Sequence, residues 1–315
     1  MSVAACLLLY SLAVAVFGPR QLVRWTRAGV APRLGVTAWL VAIGSVLASW
    51  AAAAVFLVIE LVHDWNQPGR IISTCFAALQ GVATGGAGPV LQLGLFTLTA
   101  LALAAAAVLA VRMGRSLVRA RSRTHDHARM ARVVGRRMPG SDAVVLDAPE
   151  RLAYCVAGRP NTIVVTSGAL DALDDHQLGA VLAHERAHLA GRHHLLLAAT
   201  RGLATVLPRV DLFTTGTAEI ARLLEMCADD AAARDHGSHT VLGALLTLSG
   251  AASLPTRALG ATAVGVLARA ERLAEPASLR QRMRTRLFLT VMVTLLAAGP
   301  VLAAATVLCD PSTPY

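Results

Sequence analysis

Lysine is absent from the sequence, aromatic residues make up only 4% of it, and charged residues 15%. So thin a charged complement, set against 55% hydrophobic residues and a mean hydropathy of +0.58, excludes the usual balance of a water-soluble domain and makes lipid part of the solvent. The missing lysine carries little mechanism and fits the codon bias of a GC-rich genome. Cysteine is sparse too. Cys6, Cys75, Cys155, Cys227 and Cys309 are scattered without a CxxC pair, which supports neither a disulfide framework nor a cysteine-based zinc knuckle. Cys75 and Cys309 share a compartment in the topology below, so a disulfide between them stays open. The net charge of +10 is all arginine, and because the arginines gather where apolar runs end, no direct nucleic-acid partner is expected.

What is present in excess is long apolar sequence. Four segments have the length and composition of membrane spans: Val3 to Phe17, Leu34 to Val62, Val90 to Val111 and Leu287 to Leu308. The first is short enough for a signal peptide, but it lacks a basic leader, and Arg20, Arg24, Arg27 and Arg33 follow it. Arginine is again dense from Arg112 to Arg137, and Arg280, Arg282, Arg284 and Arg286 lead into the last span. The positive-inside rule then gives one topology: N-terminus out, Gly18 to Arg33 in, His63 to Pro89 out, Arg112 to Arg286 in, and a short external tail ending at Tyr315. The expected division is a membrane domain over 1–111, a cytoplasmic domain over 112–286, a fourth span over 287–308 and a tail over 309–315. The expected location is the inner (plasma) membrane, multi-pass, with the lipid bilayer as one partner. The basic run after the third span reads as orientation or contact with anionic lipid. Gly81 to Gly88 reads as a flexible external linker, since no strand, helix or lysine flanks it as a phosphate loop requires.

Between Arg112 and Arg286 the pattern changes. Ala143-Val144-Val145-Leu146 and Thr162-Ile163-Val164-Val165-Thr166 read as strands of a small sheet separated by Pro and Gly turns. Asp174 and Gln177 then form a capping-box pair that opens a helix continued by Leu178, Val181, Leu182 and Leu189. On that helix His184-Glu185-Arg186-Ala187-His188 places two imidazoles one turn apart on one face. Imidazoles at i and i+4 converge on a single zinc ion at about 2.0–2.1 Å, and Glu185 lies beside the metal without being a ligand. From there it can take a proton from attacking water and hand it to the departing amine.

Two third ligands compete. The run from His184 to His194 satisfies HExxHxxGxxH, with Gly191 turning the chain and His194 as ligand. That needs a helix break at Gly191, yet His194 to Ala199 has high helix propensity and no turn residue. A helix continuing through Gly191 carries His194 off the shared face. The alternative is Glu225, on a second helix expected to start after a Gly216-Thr217 turn, with Asp229 four residues on to hydrogen-bond the outer nitrogen of a ligand imidazole.

The motifs HExxH and ExxAD, preceded by Ala153-Tyr154-Cys155-Val156-Ala157-Gly158 and by Ile163-Val164-Val165-Thr166-Ser167-Gly168-Ala169-Leu170, resemble the membrane gluzincins. These include the HtpX-like and CAAX prenyl proteases and their relatives, the BlaR/MecR antirepressor metallopeptidases. The resemblance covers approximately Ala143 to Ala233. Three spans before the domain and one after resemble BlaR/MecR more than HtpX, whereas His193, five residues after His188, resembles the HtpX side. It implies an α-helical membrane protein with an α+β gluzincin-type zinc peptidase domain and one Zn2+ per chain. His184, His188 and Glu225 would hold zinc, Glu185 would be the base and Asp229 would support a ligand. The strand Ile163, Val164, Val165, Thr166, Ser167 would be the edge on which an extended substrate pairs.

The expected function is a membrane-embedded zinc endopeptidase acting on a cytoplasmic or membrane-proximal protein or peptide, with a BlaI-type repressor as one partner. The alternatives are an HtpX-like quality-control protease and a catalytically silent receptor or scaffold. Glu185 speaks against the last, since a structural zinc site has no use for a base. The penicillin-binding sensor of BlaR/MecR has no counterpart after Leu308, so a signal is expected to enter through the loop His63 to Pro89, the membrane or a partner. The oxyanion-stabilising group is open among His193, His236, His239 and Arg234, each also readable as an exposed position near a helix end.

Overall fold

The computed structural model describes residues 3–63, 128–250 and 261–308, with scattered helical positions between 97 and 118. Outside the described residues lie most of the loop expected to be external, with its Gly81–Gly88 piece, most of the third expected span, most of the arginine run up to position 127, the Cys75–Cys309 pair and the tail. Three helices among the described residues are long and apolar enough to cross a membrane. Of the expected span 90–111, every described position is helical.

Helices α1 (Val3–Thr26) and α2 (Pro32–His63) form an antiparallel pair. Pro32 opens α2, where its fixed φ suits a first turn and its missing N–H costs nothing. The expected first span stops at Phe17, whereas α1 continues through Pro19 to Thr26, because Leu22 is buried in the main core and the stretch after Pro19 favours helix. The link between the pair turns at Gly29, which has φ +61 and lies so close to Met226 that a Cβ would sit 2.3 Å from its sulfur. Only glycine meets both demands.

A four-stranded sheet follows: β1 (Arg136–Arg137), β2 (Ala143–Leu146), β3 (Ala153–Val156) and β4 (Thr162–Thr166), in the order β1-β2-β4-β3. Strand β4 pairs parallel with β2 and antiparallel with β3. The expectation that Ile163 to Ser167 forms a substrate-binding edge is therefore corrected. Ile163, Val164, Val165 and Thr166 lie in the centre of the sheet, and Ser167 begins the next helix. The physical sign was in the sequence: an unbroken apolar Ile-Val-Val run belongs to a strand covered on both faces, as its complete burial shows. The edge is β3, whose Ala153, Tyr154 and Cys155 are only half-buried.

Helix α3 (Ser167–Ala172) leads to α4 (Asp175–Ala190), opened by the expected capping box: the Asp174 side chain accepts from Gln177 N–H and the Gln177 side chain accepts from Asp174 N–H. Then come α5 (His193–Val206), α6 (Asp211–His236), α7 (Ser238–Ser249), α8 (Ala261–Ala274) and α9 (Leu279–Leu308). Gly216 and Thr217 form no turn. Helix α6 runs through them, and Gly216 instead admits the Trp39 ring, 3.1 Å from where a Cβ would stand.

That contact belongs to one core shared by α1, α2, α6 and α9, with Leu22, Trp39, Phe213, Ile220, Leu223 and Leu289 among its members. A second cluster of Ile163, Val165, Ala169 and Leu182 seats α4 on the sheet. At the arginine-rich end of the spans, Trp25 stacks on Phe288 with ring centroids 3.8 Å apart, and the Arg284 guanidinium lies 5.6 Å from the Trp25 ring.

Candidate metal centre

Helix α4 lays Leu182 on the sheet and turns His184 and His188 toward α6, which carries Glu225 and Asp229 four residues apart on the facing side. His184 Nε2 and His188 Nε2 are 3.1 Å apart, and Glu225 carboxylate oxygens lie 3.6 Å from the first and 3.4 Å from the second. Ligand atoms about 2.1 Å from one tetrahedral ion are about 3.4 Å apart, so these separations fit zinc. Among the described residues this is the group of His, Cys, Asp and Glu whose ligand atoms converge.

The outer nitrogens are also engaged. His184 Nδ1 donates to Asp229 Oδ1 at 3.1 Å, which leaves its Nε2 as the nitrogen able to ligate a metal. His188 Nδ1 lies 2.8 Å from Nδ1 of His193. For His188 to present a lone pair at Nε2, its proton must sit on Nδ1 and be donated to His193. Helix α4 does break after Ala190, contrary to the expectation of a continuous helix. Gly191 caps it, and Arg192 takes a left-handed conformation at φ 49 that starts α5 in a new direction. The break turns His193 inward, 8% exposed, and leaves His194 on the outer surface, outside the converging group. Of the oxyanion candidates, His193 thus lies against His188 on the side away from Glu225 and His184. His236 packs against Gly179, and His239 and Arg234 are exposed.

Arg269 on α8 was not legible as a site residue. Its Nε and Nη2 donate to the two oxygens of fully buried Asp229 at 2.8 and 2.7 Å, and its Nη1 donates to Glu225 at 3.0 Å. Arg272, one turn on, donates to Asp230 at 2.6 Å and to the Met226 carbonyl. The one available signal was two arginines three apart downstream of Asp229-Asp230, and nothing in the spacing pairs them. Cys155 was also missed: its thiol and N–H reach the Glu185 carboxylate.

The electrostatics follow from burial and these partners. Burial pushes the Glu185 carboxyl above its ordinary range, against the pull of His184. Burial likewise opposes charge on Glu225 and Asp229, but hydrogen bonds to His184 and the Arg269 charge outweigh it and hold both down at about 2. Burial disfavours a charged His184 as well, yet Asp229 and Glu225 together raise it to about 9, while burial lowers His188 to about 4. In the metal-free chain the proton on His184 Nε2 therefore holds the position where a cation satisfies His188 and Glu225. Burial raises the Cys155 thiol to about 12, so beside Glu185 it is a neutral donor.

The sequence model of peptidase family M48 matches residues 117–303, more than half of the chain and all of this site. The chain belongs to that family. Neither a curated protein nor a solved structure matches it. M48 peptidases are zinc-dependent metalloproteases that act on protein substrates, and in this M48 peptidase the His, His and Glu group lies beside apolar helices that mark it as a membrane protein.

Proposed function

We propose that this M48 peptidase is a membrane-embedded zinc endopeptidase in which His184, His188 and Glu225 hold the ion and Glu185 is the general base. The observation that carries the reading is the triangle of 3.1, 3.4 and 3.6 Å edges between the three ligand groups, with the raised Glu185 carboxyl next to it in sequence. Bound zinc would supply Lewis-acid polarisation of the scissile carbonyl. Glu185 takes a proton from the attacking water and returns it to the leaving amine, for which a carboxyl raised above its ordinary range by burial is a better acceptor than an exposed one. Asp229, held by Arg269, and His193 keep the two imidazoles in the ligating tautomer.

An extended substrate pairs with β3. Thr166 N–H donates to the Leu152 carbonyl, so strand alternation points the backbone groups of Ala153 and Cys155 away from β4; those of Ala153 and the Cys155 carbonyl face an incoming strand, while the Cys155 N–H faces Glu185. The arginine-rich ends of α1 and α9 meet through Trp25 and Phe288, which supports a cytoplasmic site by the positive-inside rule. The substrate is then a cytoplasmic or membrane-proximal protein, and the BlaR/MecR resemblance points to a repressor of the BlaI type. The core shared between membrane helices and α6 favours a second reading, quality control of membrane proteins, because it holds the cleft close to the bilayer.

Zinc content and proteolysis of detergent-purified wild type, Glu185→Gln, Glu225→Ala and His194→Ala test this. Zinc should be lost in Glu225→Ala, retained in His194→Ala, and retained in Glu185→Gln with cleavage reduced by about 10²–10⁴. Loss of zinc in His194→Ala instead would assign the third ligand to that residue.

A further inference from the structure

Between α4, α5 and α6, with His193, the neighbour of His188, in its wall, lies a cavity of about 440 Å³, within the size range of small-molecule sites. It is lined by the start of α2, the α4–α5 break and the side of α6 that carries Leu224, Cys227 and Arg234. Its lining includes Arg33, Arg234 and His193, with Val36, Leu196 and Leu224 on its apolar side, and it contains no carboxylate. Among the described residues neither guanidinium has an ion-pair or hydrogen-bond partner. The arginines near the metal group, by contrast, are each matched to an acid: Arg269 to Asp229, and Arg272 to Asp230. A cavity with two unmatched cations and no acid is complementary to an anion. His193 adds a third donor. Its Nδ1 accepts from His188, so its remaining proton is on Nε2, which lies beside Gly191 at the cavity wall.

Position identifies the source of the anion. Arg33 stands in the first turn of the span Pro32–Ile59 and Val36 one turn further into it, so the cavity mouth lies at the level of the headgroups on the arginine-rich side. Beside it Leu195 on α5 is 43% exposed, an apolar surface suited to an acyl chain. We propose that this cavity binds the phosphate of an anionic phospholipid. Arg33 and Arg234 flank the phosphate, His193 Nε2–H donates to it, and the proximal chain carbons lie against Val36, Leu196 and Leu224. The site shares His193 with the metal group, but Arg33 and Arg234 lie outside that group, and anion binding there does not depend on the peptidase reading. Through His193 its occupant lies two hydrogen bonds from His188.

The test is thermal unfolding of the detergent-purified chain titrated with dihexanoyl phosphatidylglycerol, dihexanoyl phosphatidylcholine or inorganic phosphate. The variants are Arg33→Gln/Arg234→Gln and the charge-conserving Arg33→Lys/Arg234→Lys. Both positions are exposed, and Arg20, Arg24 and Arg27 keep the topology signal, so the variants should fold. The expected result is a saturable rise in Tm with phosphatidylglycerol and none with phosphatidylcholine. Half-saturation should weaken about 30-fold in the glutamine double variant and much less in the lysine one. Equal responses to phosphatidylglycerol in wild type and the glutamine variant would overturn the site. An inorganic phosphate response as large as that to phosphatidylglycerol would overturn the lipid as its occupant.

Discussion

In the proposed site, His184 is the residue at which proton and metal would compete. Its raised value means the metal-free chain binds a proton there more tightly when folded than when unfolded. That contribution to stability is fully present below its ordinary 6.5 and is lost as pH rises through about 9. Zinc must displace the same proton, so its affinity should climb with pH over this window, approaching tenfold per pH unit, and level off above about 9. Titration of the apo protein with a competing chelator from pH 6.5 to 9.5 reads this, and a flat profile would show that His184 is already neutral. Asp229 has a different vulnerability. It is fully buried and its charge is balanced by Arg269 through two hydrogen bonds. Arg269→Leu strands that charge and should cost about 3 kcal/mol or more, read as a lower unfolding midpoint of the apo protein. An unchanged midpoint would mean that His184 and Arg272, whose Nη2 lies 3.9 Å from Asp229 Oδ2, balance Asp229 without Arg269.

At the scale of elements, the decisive feature is the break between α4 and α5. A helix continuing through Gly191 would carry His193 off the site, and it is the left-handed Arg192 that brings its ring to His188. His193→Ala leaves every ligand in place but frees the His188 tautomer, so zinc affinity should fall by about 10–100-fold while His194→Ala leaves it unchanged. Competition against the same chelator measures it, and equal affinities in the two variants would remove His193 from the metal site. The break also shows where local reasoning ends. The capping box at Asp174 and the two strand runs were legible because propensity, spacing and cap residues act over a few positions and agree. The left-handed turn at Arg192 runs against the propensity of the leucine-rich stretch after it and is held by burial of His193. Strand order depends on which partners β4 finds across some twenty residues, and so the edge was misassigned. Gly216 was read as a turn because its use, a close approach to Trp39, lies on another helix.

At the scale of the molecule, the expected boundary at 112 separates a membrane anchor from a peptidase domain, whereas the packing joins them. Helix α6 carries Glu225 and Asp229 on one side, and Phe213, Ile220 and Leu223 go into the core with Leu22 and Trp39 of the first two spans. Even its Gly216 is shaped to Trp39, which is 0% exposed. Removing residues 1–111 would uncover that entire apolar face of the helix that carries the proposed third ligand. Each large side chain so exposed forfeits roughly 1.5–3 kcal/mol, and a handful of them exceeds the typical stability of a domain. The fragment 112–286 should therefore fail to form the metal group by itself: expressed alone, it should aggregate or bind detergent and retain no stoichiometric zinc after dialysis, while the full chain in detergent retains one ion. A monodisperse fragment with one zinc would show that α6 finds its place from the sheet, α4 and α8 alone, and that the membrane helices only anchor the peptidase.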